Sequence, residues 1–87
     1  MKAVALYRPK SEFARMVEEY VQDFERQRGQ TIELISLDTV EGADMARLYG
    51  ILQYPALLVI RDDGQLLKEW QGERLPLMDE VAGYIRQ

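Results

Sequence analysis

The side chains best suited to binding or catalysis lie near the start of the chain, where Arg8, Lys10 and Ser11 are close in sequence. They flank the predicted N-terminus of the first helix, whose free N–H groups and dipole attract an anion. Two neighbouring cations would favour a carboxylate of a peptide or of a small ligand. The simpler interpretation is a solvated loop in which Ser11 is the N-cap of the helix. The sequence leaves both interpretations open.

Most familiar covalent mechanisms are excluded, because the 87 residues include no cysteine and no histidine. The chain therefore has no dithiol exchange, no thiolate or imidazole metal ligand and no Ser-His pair. Ser11 as a nucleophile would need a general base, and Lys10 in a charged turn keeps its proton. We expect no enzyme activity, no bound metal and no cofactor. The acidic residues of the first helix are interpreted as its solvated surface: Glu18, Glu19, Asp23 and Glu25.

Charge and hydropathy limit the choice of partner. The net charge is −4, from 15 acidic and 11 basic residues, without a cluster of Lys and Arg suited to a phosphate backbone. The apolar stretch near the N-terminus spans only residues 3–7, and the longest apolar run, residues 54–60, contains a proline. Both are too short for a signal peptide or a membrane span. We expect one cytoplasmic domain over residues 1–87 with no nucleic-acid or membrane partner.

The hydrophobic pattern predicts seven elements in the order β-α-β-α-β-β-α. An apolar strand at residues 3–7 ends at Pro9, and an amphipathic helix follows and stops at Gly29. The apolar stripe of this helix contains Phe13, Met16, Val17, Tyr20, Val21 and Phe24, and Glu12 lies in its predicted first turn. The other predicted elements are a strand at 31–37, a helix at 40–49 closed by Gly50, strands at 56–61 and 66–70 around the turn Asp62-Asp63-Gly64-Gln65, and a helix from Pro76 at its N1 position to Ile85.

The connections between these elements limit the fold. The first two strands can be parallel only through the first helix, in a right-handed crossover, and the last two strands form a hairpin. We therefore predict an α/β fold with a mixed four-stranded sheet and helices on both of its faces, three helices in all.

One long motif in the second half of the chain adds a family resemblance. Residues 46–60 read Ala-Arg-Leu-Tyr-Gly-Ile-Leu-Gln-Tyr-Pro-Ala-Leu-Leu-Val-Ile, and Gly64 and Gly72 follow. This motif resembles the thioredoxin superfamily, in which a Tyr-Gly-Ile turn leads to a cis-proline, a hairpin and a glycine. The start of the chain is closer to the short glutaredoxin-like members. The resemblance implies a thioredoxin-like fold, a cis Tyr54-Pro55 bond, and backbone before Pro55 that pairs with an extended peptide or with glutathione.

The chain departs from that family in the loop after the first strand. Members carry Cys-x-x-Cys or Cys-x-x-Ser there, at the start of the helix, which lowers the pKa of the thiol. Here residues 9–14 read Pro-Lys-Ser-Glu-Phe-Ala, and Ser11 and Ala14 stand nearest the two cysteine positions. Because a serine hydroxyl carries no redox couple, the resemblance implies a retained fold without dithiol chemistry.

We therefore predict a redox-inactive, thioredoxin-like domain that binds a protein or peptide partner. The structural alternative is a cis bond that only shapes the turn into the third strand. Two other functions stay open, namely a module that self-associates through a sheet edge or a helix face, and a non-redox binder of a glutathione-like ligand. The sequence does not predict an oligomeric state. The predicted groove comprises Arg8, Pro9, Lys10, Ser11, Tyr54 and Pro55, with Tyr54 contributing backbone groups and the basic residues contributing charge.

Overall fold

The computed structural model describes residues 1–86, and their elements follow the predicted order. Every strand lies within two residues of its predicted bounds, because alternating and continuous apolar runs mark strands directly. None of the helices among residues 1–86 is long and apolar enough to cross a membrane. The elements are β1 (Lys2–Tyr7), α1 (Ala14–Arg28), β2 (Ile32–Ser36), α2 (Val40–Leu48), β3 (Ala56–Ile60), β4 (Leu66–Gln71) and α3 (Met78–Ile85).

The four strands form one mixed sheet in the order β2-β1-β3-β4. β1 runs parallel to β2, with Ala5 opposite Leu34, and antiparallel to β3, with Ala5 opposite Leu57. β3 and β4 form the predicted antiparallel hairpin, in which Leu57 lies opposite Trp70. The predicted α/β class and the mixed sheet are therefore confirmed.

Helices cover both faces of the sheet, so the two central strands are buried from both sides. Alternate residues of β1 enter different cores: Ala5 packs on the side of α1 and α3, and Leu6 packs on the side of α2. All five residues of β3 are buried for the same reason. The carboxyl end of β1 and the segment before β3 meet at one end of the sheet, where the predicted groove residues lie.

Helix α1 packs with the predicted apolar stripe. Val17, Val21 and Phe24 are buried, whereas Met16, at the margin of the stripe, is 37% exposed. The helix ends at Gly29, whose left-handed conformation (φ 68°) lets its N–H donate to the C=O of Glu25 at 2.9 Å. This conformation favours glycine, and the predicted stop is confirmed.

The start of α1 differs from the prediction. The helix begins at Ala14 with Phe13 in the N-cap position, and no side chain caps it. The prediction that Ser11 is the N-cap is wrong, because its hydroxyl donates to the C=O of Arg8 at 2.8 Å. The N–H of Ser11 donates to the same oxygen at 3.0 Å. Ser11 thus closes the turn after β1, and Glu12 precedes the helix instead of lying in its first turn.

The last helix also begins later than predicted. α3 starts at Met78, and extended Leu77 (φ −66°, ψ 142°) occupies the N-cap position. Pro76 therefore precedes the helix and is not its N1 residue. The C=O of Pro76 instead accepts a hydrogen bond from the Tyr20 hydroxyl at 2.8 Å, which ties the segment before α3 to α1.

Candidate functional site

The segment before β3 places Tyr54 and Pro55 beside the end of β1. The peptide bond between them is cis. Pro55 is buried, and its C=O accepts the N–H of Gly72 at 2.9 Å. The Tyr54 hydroxyl donates to the C=O of Ile51 at 3.1 Å. Within residues 1–86, the backbone N–H and C=O of Tyr54 make no hydrogen bond, so both groups are free to pair with a ligand.

A small hollow lies on one side of Tyr54. Its volume is about 250 Å³, and its wall includes the end of β1, the turn after it and the segment before β3. Four of the six predicted groove residues line this smaller hollow. Its lining residues are Tyr7, Arg8, Ser11, Phe13, Tyr54 and Pro55.

A larger hollow of about 350 Å³ lies between α2 and the segment before β3. It shares Arg8 and Tyr54 with the smaller hollow, so these two side chains separate the two spaces. The Arg8 guanidinium lies 5.8 Å from the centre of the Tyr54 ring, within the range of a cation–π contact. The other lining residues are mostly apolar: Leu37, Ala43, Ala46, Arg47, Gly50, Ile51 and Leu52.

We call these two hollows and the Tyr54 backbone the Tyr54 groove. Of the predicted residues, Pro9 and Lys10 line neither hollow and are exposed in the turn after β1. Arg8 donates to the Asp38 carboxylate at 3.3 Å, so its charge is partly neutralised. The structure thus brings Arg8, Ser11, Tyr54 and Pro55 together and leaves the other two outside.

The hydroxyls of the smaller hollow are donors and not nucleophiles. Tyr7 donates to the Glu18 carboxylate at 3.3 Å. Burial raises the pKa of the Tyr7 hydroxyl, and the negative charge of Glu18 raises it further, so Tyr7 keeps its proton at neutral pH. Ser11 donates to a backbone C=O and has no general base beside it. The arrangement is therefore suited to noncovalent binding.

Several residues of the groove were not predicted from the sequence. Tyr7 and Phe13 line the smaller hollow although their pattern marks them as core residues. Leu52, which borders the larger hollow, is 85% exposed. An apolar side chain two residues before Tyr54 was a usable signal. Gln71 gave no signal: its side chain accepts the N–H groups of Leu52 and Gln53, but the whole β3–β4 hairpin separates it from them in the sequence.

No group of three or more acidic side chains within residues 1–86 is placed to hold a metal ion. The acidic side chains at the groove have other partners, since Asp38 pairs with Arg8 and Glu18 accepts from Tyr7.

No protein-family model and no curated protein matches the sequence significantly. Solved thioredoxins, in contrast, match nearly the whole chain. Thioredoxin 1 of Thermosipho africanus has a TM-score of 0.67 and 16% identity, covering 99% of this chain and 91% of its own. The thioredoxin pre-protein of Schistosoma mansoni has a TM-score of 0.71 and 15% identity, covering 97% and 74%. Mitochondrial thioredoxin 3 of Saccharomyces cerevisiae has a TM-score of 0.65 and 15% identity, with the same coverage. The chain therefore has the thioredoxin fold, without a cysteine for thioredoxin-type dithiol exchange.

Proposed function

We propose that this chain binds an extended peptide segment of a protein partner in the Tyr54 groove. One observation carries the proposal: the unpaired N–H and C=O of Tyr54 lie between two hollows that share the Tyr54 side chain. An extended peptide offers a matching C=O and N–H on one residue. Pairing of this kind is strand addition, in which main-chain hydrogen bonds provide affinity and pockets select side chains.

The two hollows give the proposed peptide its sequence preference. Side chains of an extended segment alternate in direction, so positions on either side of the paired residue reach different spaces. The larger hollow has a floor of Leu37, Ala46 and Ile51, which favours an apolar side chain. The smaller hollow adds Phe13 and the Tyr7 ring. We therefore expect two apolar residues flanking the paired position.

In this proposal the basic side chains contribute less to peptide binding than we expected from the sequence. Arg8 pairs with Asp38, and Arg47 at the rim of the larger hollow pairs with Asp44. Exposed ion pairs are worth little, but each one already gives its arginine a carboxylate partner. A glutathione-like ligand or an acidic peptide would have to displace these aspartates. Apolar contact and backbone pairing therefore support a peptide better than an anionic small molecule.

Selection from a random-peptide library, followed by amide NMR of the labelled chain with the selected peptide, tests the proposal. We expect chemical-shift changes at the amides of residues 8, 10–13 and 52–54. Ala43 is an exposed residue of α2 that borders the larger hollow, so A43W should block that space. The affinity should fall by about tenfold or more, the worth of one buried apolar side chain. Q22W, on the exposed side of α1, is the matched control and should bind as the wild type does.

Shift changes confined to other surfaces, or equal affinity of A43W and Q22W, would contradict the proposed groove. A selected peptide that binds only with acidic residues and loses affinity in moderate salt would contradict the apolar preference. Binding would then depend on the exposed cations of the turn after β1.

Self-association is the second candidate, because one residue favours it. Leu34 lies on the edge strand β2 and is 38% exposed, which is large for an apolar strand residue beside an unpaired edge. Two copies pairing antiparallel through β2 could place Leu34 against its counterpart. Sedimentation at increasing concentration tests this: a dimer abolished by L34K supports it, and a monomer at all concentrations contradicts it.

A further inference from the structure

The segment that carries Tyr54 is attached to β4 by one side chain. Gln71 is the last residue of β4, and its Oε1 accepts the N–H of Leu52 at 2.9 Å and the N–H of Gln53 at 3.0 Å. The next residue, Gly72, donates its N–H to the C=O of Pro55 at 2.9 Å. The end of β4 thus contacts the segment on both sides of Tyr54. Tyr54 itself takes no part in these bonds.

The orientation of the Gln71 amide follows from its partners. The two backbone N–H groups are donors only, so the atom between them must be an oxygen. The Nε2 group of Gln71 donates to Oε1 of Glu69, a carboxylate that can only accept. In this orientation the two backbone N–H groups have an oxygen acceptor, and Nε2 of Gln71 has a carboxylate acceptor. No other arrangement of these two side chains satisfies both ends.

We propose that Gln71 is a positioning residue for the Tyr54 groove. It occupies the N–H groups of Leu52 and Gln53, so that Tyr54 has the one free N–H of segment 52–54 within the described residues. A peptide that adds here is thereby restricted to one register, centred on Tyr54. The restriction of a bound peptide to one register rests on the proposed function. The attachment of segment 52–54 to Gln71 holds with or without a ligand.

Without the Gln71 oxygen, three consecutive N–H groups at residues 52–54 would face solvent. Within residues 1–86, the N–H groups of the exposed Leu52 and Gln53 have no hydrogen-bond partner besides Gln71. An extended peptide could then pair at Gln53 as readily as at Tyr54. A shift by one residue turns every peptide side chain to the opposite face. The hollows would no longer receive the side chains selected by the wild type.

Amide hydrogen exchange of the free protein in deuterated water tests the attachment. Q71L should speed exchange at Leu52 and Gln53 by about two- to tenfold, as expected for loss of an ordinary hydrogen bond. Exchange at Val59 in the central strand β3 should stay the same and report that the fold is intact. The matched control is Q22L, which changes an exposed glutamine of α1 and should alter neither segment.

Two further variants separate hydrogen bonding from packing. Q71E alone keeps an oxygen for the two N–H groups but places a second carboxylate against Glu69. The double variant E69Q/Q71E restores the match, because the new amide at position 69 would donate to the new carboxylate at position 71. That carboxylate would still accept from both N–H groups. We expect protection at Leu52 and Gln53 to weaken in Q71E and to return in the double variant. A role in packing alone would not be rescued by the exchange of these two side chains.

The selected peptide gives the second readout, with affinity falling in Q71L and Q71E and recovering in E69Q/Q71E. Unchanged exchange at Leu52 and Gln53 in Q71L overturns the inference. So does altered exchange with unaltered peptide affinity. If the wild type binds no selected peptide while exchange responds as expected, the proposed function is contradicted and the role of Gln71 in holding the segment is supported.

Discussion

The two helices that begin at the end of the sheet beside the Tyr54 groove start in different ways. At the start of α2, extended Thr39 (φ −92°, ψ 159°) accepts the N–H of Gly42 through its Oγ1 at 3.0 Å. The same hydroxyl donates to the C=O of Ser36 at 2.7 Å. At the start of α1, Phe13 lies in the helical region (φ −95°, ψ −3°) and no side chain caps the helix. One start is closed by its own side chain, and the other is not.

The difference follows the location of the groove. Phe13 and Ser11 line the smaller hollow. The residues at the start of α1 therefore form part of the wall of the Tyr54 groove. Thr39 lies outside both hollows and fixes α2 against the end of β2. The helix whose start lies outside the groove is capped by a side chain, and the helix whose start lines the groove is not. Substitutions at the two starts should therefore have unequal effects on stability.

The largest effect is expected from G42A, in the first turn of α2. A Cβ at Gly42 would lie 2.0 Å from the Ser36 oxygen and 2.8 Å from its carbonyl carbon, and backbone atoms cannot move aside easily. We expect the free energy of unfolding to fall by about 3 kcal/mol or more, at the upper end of the range for overpacking. Urea unfolding followed by circular dichroism measures the change.

G83A is the matched control in α3, where a Cβ would meet nothing within 4 Å. Alanine is the better helix former, so G83A should raise the free energy of unfolding by about 0.5–1 kcal/mol. Equal effects of the two substitutions would show that the start of α2 does not pack closely against β2 in solution.

The next largest effect is expected from T39A. This substitution removes the cap of α2 and the bond to Ser36, and the free energy of unfolding should fall by about 1 kcal/mol. T39S keeps the oxygen and should retain most of the stability. If T39S were as unstable as T39A, the methyl group and not the cap would be responsible.

Much of this fold could be predicted from residue spacing. The stripe of Val17, Val21 and Phe24 predicted α1, and the Asp63-Gly64 turn predicted the hairpin, because each pattern reflects local geometry. The start of α1 could not be predicted in the same way. A serine before an apolar stripe is compatible both with a cap and with a turn, and the choice depends on where the chain leaves β1.

The groove, too, could be predicted from the sequence only in part. Arg8, Ser11, Tyr54 and Pro55 were predicted and do lie together, since a strand end and a motif located them. Gln71 could not be predicted as a groove residue. Its contacts with residues 52 and 53 exist only because the hairpin register places the end of β4 beside the segment before β3.

The middle of α1 is attached to the segment before α3 by the hydrogen bond from Tyr20 to Pro76. The contribution of Tyr20 to stability should depend on pH. Burial raises the pKa of Tyr20 from its ordinary 10.0 to about 12, and the nearby Glu80 adds to this effect while Arg28 opposes it. Ionisation is therefore harder in the folded state than in the unfolded state. The stability contributed by Tyr20 is fully present below pH 10 and is lost as pH rises towards 12.

Y20F tests this contribution. The wild type should have a higher free energy of unfolding than Y20F at about pH 9, because phenylalanine has no hydroxyl to donate to the C=O of Pro76. The difference should narrow at about pH 11. Urea unfolding at both values measures it. A difference that is constant with pH would mean that the Tyr20 hydroxyl ionises equally in both states, so that burial does not protect it.

The smallest effect is expected from S11A, which tests the comparison between the two helix starts most directly. Ser11 donates to the C=O of Arg8 from an exposed position, and its N–H already bonds to the same oxygen. Losing the hydroxyl should therefore change the free energy of unfolding by less than about 0.5 kcal/mol. A loss as large as that of T39A would mean that Ser11 caps α1 in solution. The helix would then begin where the sequence predicts, and the start of α1 would no longer be open at the groove.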